Sequence, residues 1–174
     1  MKQENTLDSV NICLNLALAE ELLNLLCVKK YKIGIAESCT GGLLSYHFTA
    51  LSGASSVLDG AMISYANEIK HSWLGVNKLD LDSYGAVSEP VVRGMCEGIL
   101  KQSGADVALA TSGVAGPTGG SVQKPVGCVY IGAQIKGQKA LVERYQFGGD
   151  RYAVQSQSCA KALQMLLMLL SLDK

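Results

Sequence analysis

The chain reads as an α/β protein, a three-layer α/β/α sandwich on a mixed central sheet. Segments with helical apolar spacing alternate with short apolar runs of strand length, in the order α-β-α-β-α-α-β-β-β-α. The last two strand-like runs are joined by a tight glycine turn, so they form an antiparallel hairpin beside strands connected through helices. The first three strand-like runs each end in a cluster of polar side chains. In open α/β sheets, ligands bind at such strand ends.

Residues 1–6 are polar and read as frayed. From about Leu7 to Lys30, the residues Val10, Leu14, Leu18, Leu22, Leu25 and Leu26 recur at helical spacing. Asp8 near the start and Lys29-Lys30 at the end suit the helix dipole. Tyr31 to Ala36 is the first strand, and a helix follows to about Leu51. Ser52 to Ser56 breaks the chain, and Val57 to Tyr65 is the second strand. Asn67 is placed to cap a short helix that runs through Trp73 and closes at Gly75. Asn77 to Gly85 reads as loop. Ser88-Glu89-Pro90 opens a helix to about Gln102, with proline in the first turn, where it forfeits no hydrogen bond. Asp106 to Ala110 is the third strand, and Thr111 to Gly120 a glycine-rich loop. Val126 to Ile135 and Ala140 to Phe147 form the hairpin around Gly137. Asp150 caps the last helix, Arg151 to about Leu170.

The 174 residues suit a single domain, 1–174, large enough to bury a core. Hydrophobic residues at 48% and charged residues at 17% exclude a disordered chain. A formal net charge of zero with no basic tract argues against a nucleic-acid partner. No apolar run reaches bilayer length, so no membrane partner is expected. Six isolated cysteines without a C-x-x-C pair, behind a polar N-terminus, read as mostly core thiols of a reduced cytoplasmic protein. With His47 and His71 the only histidines, a Ser-His-Asp triad or a histidine zinc site would have to use one of them. The apolar first and last helices either complete the core or carry a homo-oligomer interface.

The stretch Ala36-Glu37-Ser38-Cys39-Thr40-Gly41-Gly42 places two hydroxyls, a thiol and a carboxylate on a strand-to-helix turn. Backbone N–H groups at a helix start can hold an anion or a developing oxyanion. A capped helix start explains the same residues equally well. The second strand ends in Ser64, Tyr65, Asn67 and Lys70, the third in Thr111 and Ser112. If the strands are parallel neighbours, the three clusters meet in one cleft. A serine nucleophile needs a base, and here Lys70, helped by Tyr65, is the candidate. Lys70 must be neutral to take a proton, and burial would favour that form. Cys39 is the rival nucleophile, but it reads as a packed thiol, since nothing nearby visibly stabilises a thiolate. The loop from Gly113 to Gly120 can cradle a phosphate, although it lacks the Gly-Lys-Ser/Thr of a P-loop. Arg151, just inside the last helix, can clamp an anion.

Six motifs in order carry a resemblance. They are the Ala36–Gly42 stretch, Ser64-Tyr65-Ala66-Asn67-Glu68-Ile69-Lys70, Tyr84 to Pro90, Ser112 to Gly120, Lys124-Pro125-Val126-Gly127 and Phe147-Gly148-Gly149-Asp150-Arg151. Together they resemble the CinA C-terminal domain family over roughly residues 8–170. That resemblance implies the three-layer fold and hydrolysis of nicotinamide mononucleotide to nicotinate mononucleotide and ammonia, in pyridine nucleotide recycling. It implies no metal and no cofactor, with Ser38 as nucleophile and Lys70 and Tyr65 handling protons. Substrate contacts are expected from Thr40, Gly41, Gly42, Asn67, Thr111, Ser112, Gly113 and Arg151. The resemblance implies a second arginine at position 155, where this chain departs from the pattern with Gln155. The length suggests the form without an upstream domain. A nucleotide-binding regulatory module using the same cleft without chemistry is the alternative.

Overall fold

The computed structural model describes the backbone of residues 4–173 and the side chains of residues 13–173. Its five strands are β1 (Ile33–Glu37), β2 (Leu58–Ile63), β3 (Val107–Gly113), β4 (Cys128–Ile135) and β5 (Leu141–Gln146). Among the described residues, six α-helices accompany them, α1 (Glu4–Lys29), α2 (Leu43–Thr49), α3 (Asn67–Leu74), α4 (Lys78–Tyr84), α5 (Glu89–Ser103) and α6 (Arg151–Leu172), with a short 3-10 helix at Ala54–Ser56. The sheet order is β2-β1-β3-β4-β5. β1 runs parallel to both its neighbours, and β4 and β5 are antiparallel additions on one side.

Side-chain alternation along the strands sorts the two faces. Ile33, Ile35, Val107, Leu109, Val129 and Ile131 meet Leu22 and Leu26 of α1, Phe48 of α2, and Leu163 and Leu166 of α6. The other face carries small residues, among them Ala36, Ala108 and Ala110, and receives Leu74 of α3, Leu81 of α4, and Val92, Met95 and Ile99 of α5. The result is the expected three layers. A Cβ on Gly98 of α5 would lie 2.0 Å from the Leu74 carbonyl oxygen, so glycine there lets α3 and α5 meet backbone to backbone. Among the described residues, no helix is long and apolar enough to cross a membrane.

Several boundaries differ from the sequence expectation. Residues 1–3 of the segment read as frayed lie outside the described residues, and α1 already begins at Glu4. Leu14 is 58% exposed and stands off the buried seam, which runs instead through Ala19, Leu22, Leu23 and Leu26. The segment read as loop contains α4, capped by Asn77, whose side chain accepts the Leu79 N–H at 2.9 Å. Only Leu81 of that helix is buried, so there was no apolar period to announce it. The cap position of α3 is Ala66, with no side-chain bond, and Asn67 is the first helical residue. β3 continues through Thr111-Ser112-Gly113 because β4 pairs with those residues too.

Candidate active site

β1 is the central parallel strand, and its last residue, Glu37, is wholly buried. The chain then turns through Ser38 to Gly42. Gly41 and Gly42 have φ of 62° and 103°, a left-handed conformation that side-chain-bearing residues rarely adopt. The Glu37 carboxylate folds back over this turn. It accepts the N–H of Gly42 at 2.9 Å, of Leu44 at 3.1 Å and of Ser45 at 2.8 Å. The positive end of α2 is thereby occupied from inside the protein. Gly41 N–H is bonded to the Ser38 carbonyl at 3.2 Å. The N–H groups of Gly41 and Gly42 are therefore both engaged within the protein. The N–H groups of Cys39 and Thr40 are the ones that neither the backbone nor Glu37 takes up.

Lys70 reaches the same point from α3. Its side chain is completely buried, and Nζ donates to the Ser64 carbonyl at 2.7 Å and the Tyr65 carbonyl at 3.1 Å. The third neighbour of Nζ is Ser38 Oγ, at 3.0 Å. Burial lowers the lysine pKa from its usual 10.5 to about 8. A neutral amine has two N–H bonds and one lone pair. The two carbonyls use the N–H bonds, which leaves the lone pair for the Ser38 hydroxyl. Cys39, beside the serine, is also buried, and burial pushes its thiol up to about 12. A thiolate there is strongly disfavoured.

Ser38, Lys70, Tyr65, Ser112, Gly113 and Arg151 line one hollow of about 280 Å³, so tips of all three parallel strands contribute to it. Tyr65 is 63% exposed, and what it offers Lys70 is its carbonyl. Thr111 Oγ1 and Thr40 Oγ1 share a 2.8 Å hydrogen bond, and both side chains are buried. Ser112 Oγ donates to the Ala86 carbonyl at 2.8 Å, tying the segment before α5 to β3. The glycine-rich loop supplies further wall through Gly116, Thr118 and Gly119. Asn67 lies apart, lining a separate hollow with His71 and Lys78. Gly41 and Gly42 shape the turn and are not part of the wall.

Arg151 is exposed and shared with a larger neighbouring hollow of about 610 Å³, which Pro117, Val126, Gly149 and Gln155 also line. Gln155 Nε2 donates to the Cys39 carbonyl at 2.8 Å. Sequence reasoning missed three features here: the Glu37 tether, the two carbonyls that hold Lys70, and the Gln155 contact. A strand-ending acid followed by Gly-Gly was the available signal for the first. Backbone carbonyls leave no trace in residue identity. Among the described residues, no group of three His, Cys, Asp or Glu side chains is arranged to hold a metal ion.

Known proteins share this arrangement of chain. The family described as the CinA C-terminal domain matches residues 15–170. The chain is 45% identical over 150 residues to nicotinamide-nucleotide amidohydrolase PncC of Enterobacter agglomerans, covering 86% of this chain and 92% of that protein. It is 44% identical over 147 residues to a CinA-like protein of Thermotoga neapolitana, covering 84% of this chain but 36% of that one. The chain thus spans little more than a third of the longer relative. Its fold is similar to the crystal structure of the competence/damage inducible protein CihA of Agrobacterium tumefaciens, with a TM-score of 0.87 and 33% identity over 91% of this chain and 96% of that one. The competence damage-inducible protein A of Klebsiella pneumoniae superposes equally well, at 34% identity over 90% of this chain and 97% of that one.

Proposed function

The chain belongs to the CinA C-terminal domain family, and on that premise we propose that it is an amidohydrolase that converts nicotinamide mononucleotide to nicotinate mononucleotide and ammonia. The observation that carries this reading is the 3.0 Å contact between Ser38 Oγ and a fully buried Lys70 whose N–H bonds are directed at two carbonyls. Neutral Lys70 takes the hydroxyl proton as Oγ attacks the carboxamide carbon. At that distance the transfer needs no relay. The developing oxyanion is held by the Cys39 and Thr40 N–H groups, an effect that can supply ~3–4 kcal/mol. The C–N bond then breaks, the amine takes the proton that Lys70 drew from Ser38 and leaves as ammonia, Lys70 is neutral again, and a nucleotidyl acyl ester remains on Ser38. Tyr65, on the wall of the hollow, is assigned to the departing amine. Water attacks the ester and gives a proton to the again neutral Lys70, which passes it to Ser38 Oγ as the C–O bond breaks, restoring the hydroxyl.

The sizes of the two hollows support a substrate divided between them. Ligand sites for small molecules run from ~300 Å³ to ~1,000 Å³, so the hollow at Ser38 suits the pyridine carboxamide and little more. The ribose phosphate extends past Arg151 into the larger hollow, with the Gly113–Gly120 loop beside it. The test is an assay for ammonia and nicotinate mononucleotide with and without a chelator. The wild-type chain is expected to release both in equal amounts. Ser38→Ala should lose roughly 10⁴-fold or more in turnover while keeping its melting temperature. Saturable binding without turnover would mark a regulatory module instead, and full activity of Ser38→Ala would remove the serine from the mechanism.

A further inference from the structure

We infer that Glu37 is a positioning residue that holds the Ser38 hydroxyl in line with Lys70. This rests on the assignment of Ser38 as nucleophile. Glu37 has no place in the proton transfers above, yet it is a fully buried carboxylate immediately before the serine. Burying a carboxylate costs several kcal/mol unless strong hydrogen bonds offset it. Here three N–H groups do so.

A helix start does not require this arrangement. Capping is ordinarily supplied by a short side chain at the cap position itself. In α2 that position is Gly42, and the acceptor comes from five residues upstream. The tether therefore closes a ring around Ser38, Cys39, Thr40 and Gly41. The far side of the ring is pinned to the sheet, because Ser38 N–H donates to the Thr111 carbonyl at 3.0 Å. With Glu37 inside the ring and β3 outside it, the serine backbone has little freedom. Its Oγ is kept at hydrogen-bond distance from an amine that is itself fixed by two carbonyls. The same tether fills the α2 N–H groups and leaves Cys39 and Thr40 to face the reacting carbonyl.

Glu37→Gln separates positioning from capping. Its single oxygen can keep the bonds to Gly42 and Leu44, but its NH₂ then opposes the Ser45 N–H. A misplacement on the order of 1 Å can cost up to ~100-fold in rate. We expect kcat to fall about 10- to 100-fold, with KM within about twofold of wild type. Covalent labelling of Ser38 by a small fluorophosphonate, in which O–P forms and fluoride leaves, should slow by a similar factor. Glu37→Gln with wild-type kcat and labelling rate, and only a lower melting temperature, would overturn the inference. Should that variant not fold, Ser45→Pro deletes one of the three N–H donors in the first turn and keeps Glu37; its labelling rate should fall, and an unchanged rate would equally overturn it. Labelling uses no nucleotide. A wild-type chain that is labelled at Ser38 but inert towards nicotinamide mononucleotide refutes the substrate and leaves this test standing.

Discussion

A buried lysine is unusual, because its charged form loses hydration that two carbonyls only partly replace. Burial lowers the Lys70 pKa to about 8, which brings the neutral form that a serine nucleophile requires within reach just above neutral pH. Lys70→Met keeps the stem and volume but removes the base. Turnover should fall by roughly 10³-fold or more, measured as ammonia release. The melting temperature should change little, since losing two hydrogen bonds opposes the relief of a buried amine. At this scale the sequence was legible in residue types: a serine on a strand-ending turn, a lysine near a helix start, few histidines. It was not legible in side-chain geometry. Tyr65 was expected as a phenol beside Lys70, and the group it presents to Lys70 in the fold is its carbonyl. Asn67 shares a motif with Lys70 but opens onto another hollow, because it is the exposed first residue of α3 whereas Lys70 is buried a turn later.

At the scale of elements, α3 matters more than its eight residues suggest. It carries Lys70, and its own position depends on α5 through the close approach at Gly98. Gly98→Ala must push α3 outward, because the new methyl would overlap the Leu74 carbonyl. Overpacking of this kind costs ~1–3 kcal/mol, and here it also lengthens the Lys70–Ser38 contact. Melting temperature and kcat should therefore fall together. A variant with lowered stability and unaltered kcat would uncouple the two helices from the site. The strands and long helices were readable because each buries a regular face. α4 escaped notice because a helix with one buried residue has no period to read.

Across the whole molecule, the parallel order β2-β1-β3 brings three sequence-distant polar tips to one end of the sheet. The late hairpin and α6 add a second wall, where Arg151 stands between two hollows. Sequence could suggest that convergence but not the division of the cleft, which depends on how the 113–127 segment folds over β4. Arg151→Ala should raise KM for the nucleotide about tenfold or more and leave kcat within a fewfold, in steady-state assays. An unchanged KM would move the phosphate elsewhere.

The central claim is that an uncharged Lys70 draws the proton from Ser38, and the pH profile of kcat/KM for nicotinamide mononucleotide tests it most directly. The folded-state pKa is lowered to about 8, so the active, unprotonated form is lost as pH falls through that value. The account predicts a limb of unit slope below about pH 8, with a plateau above it. A flat profile between about pH 6 and pH 9 would contradict it.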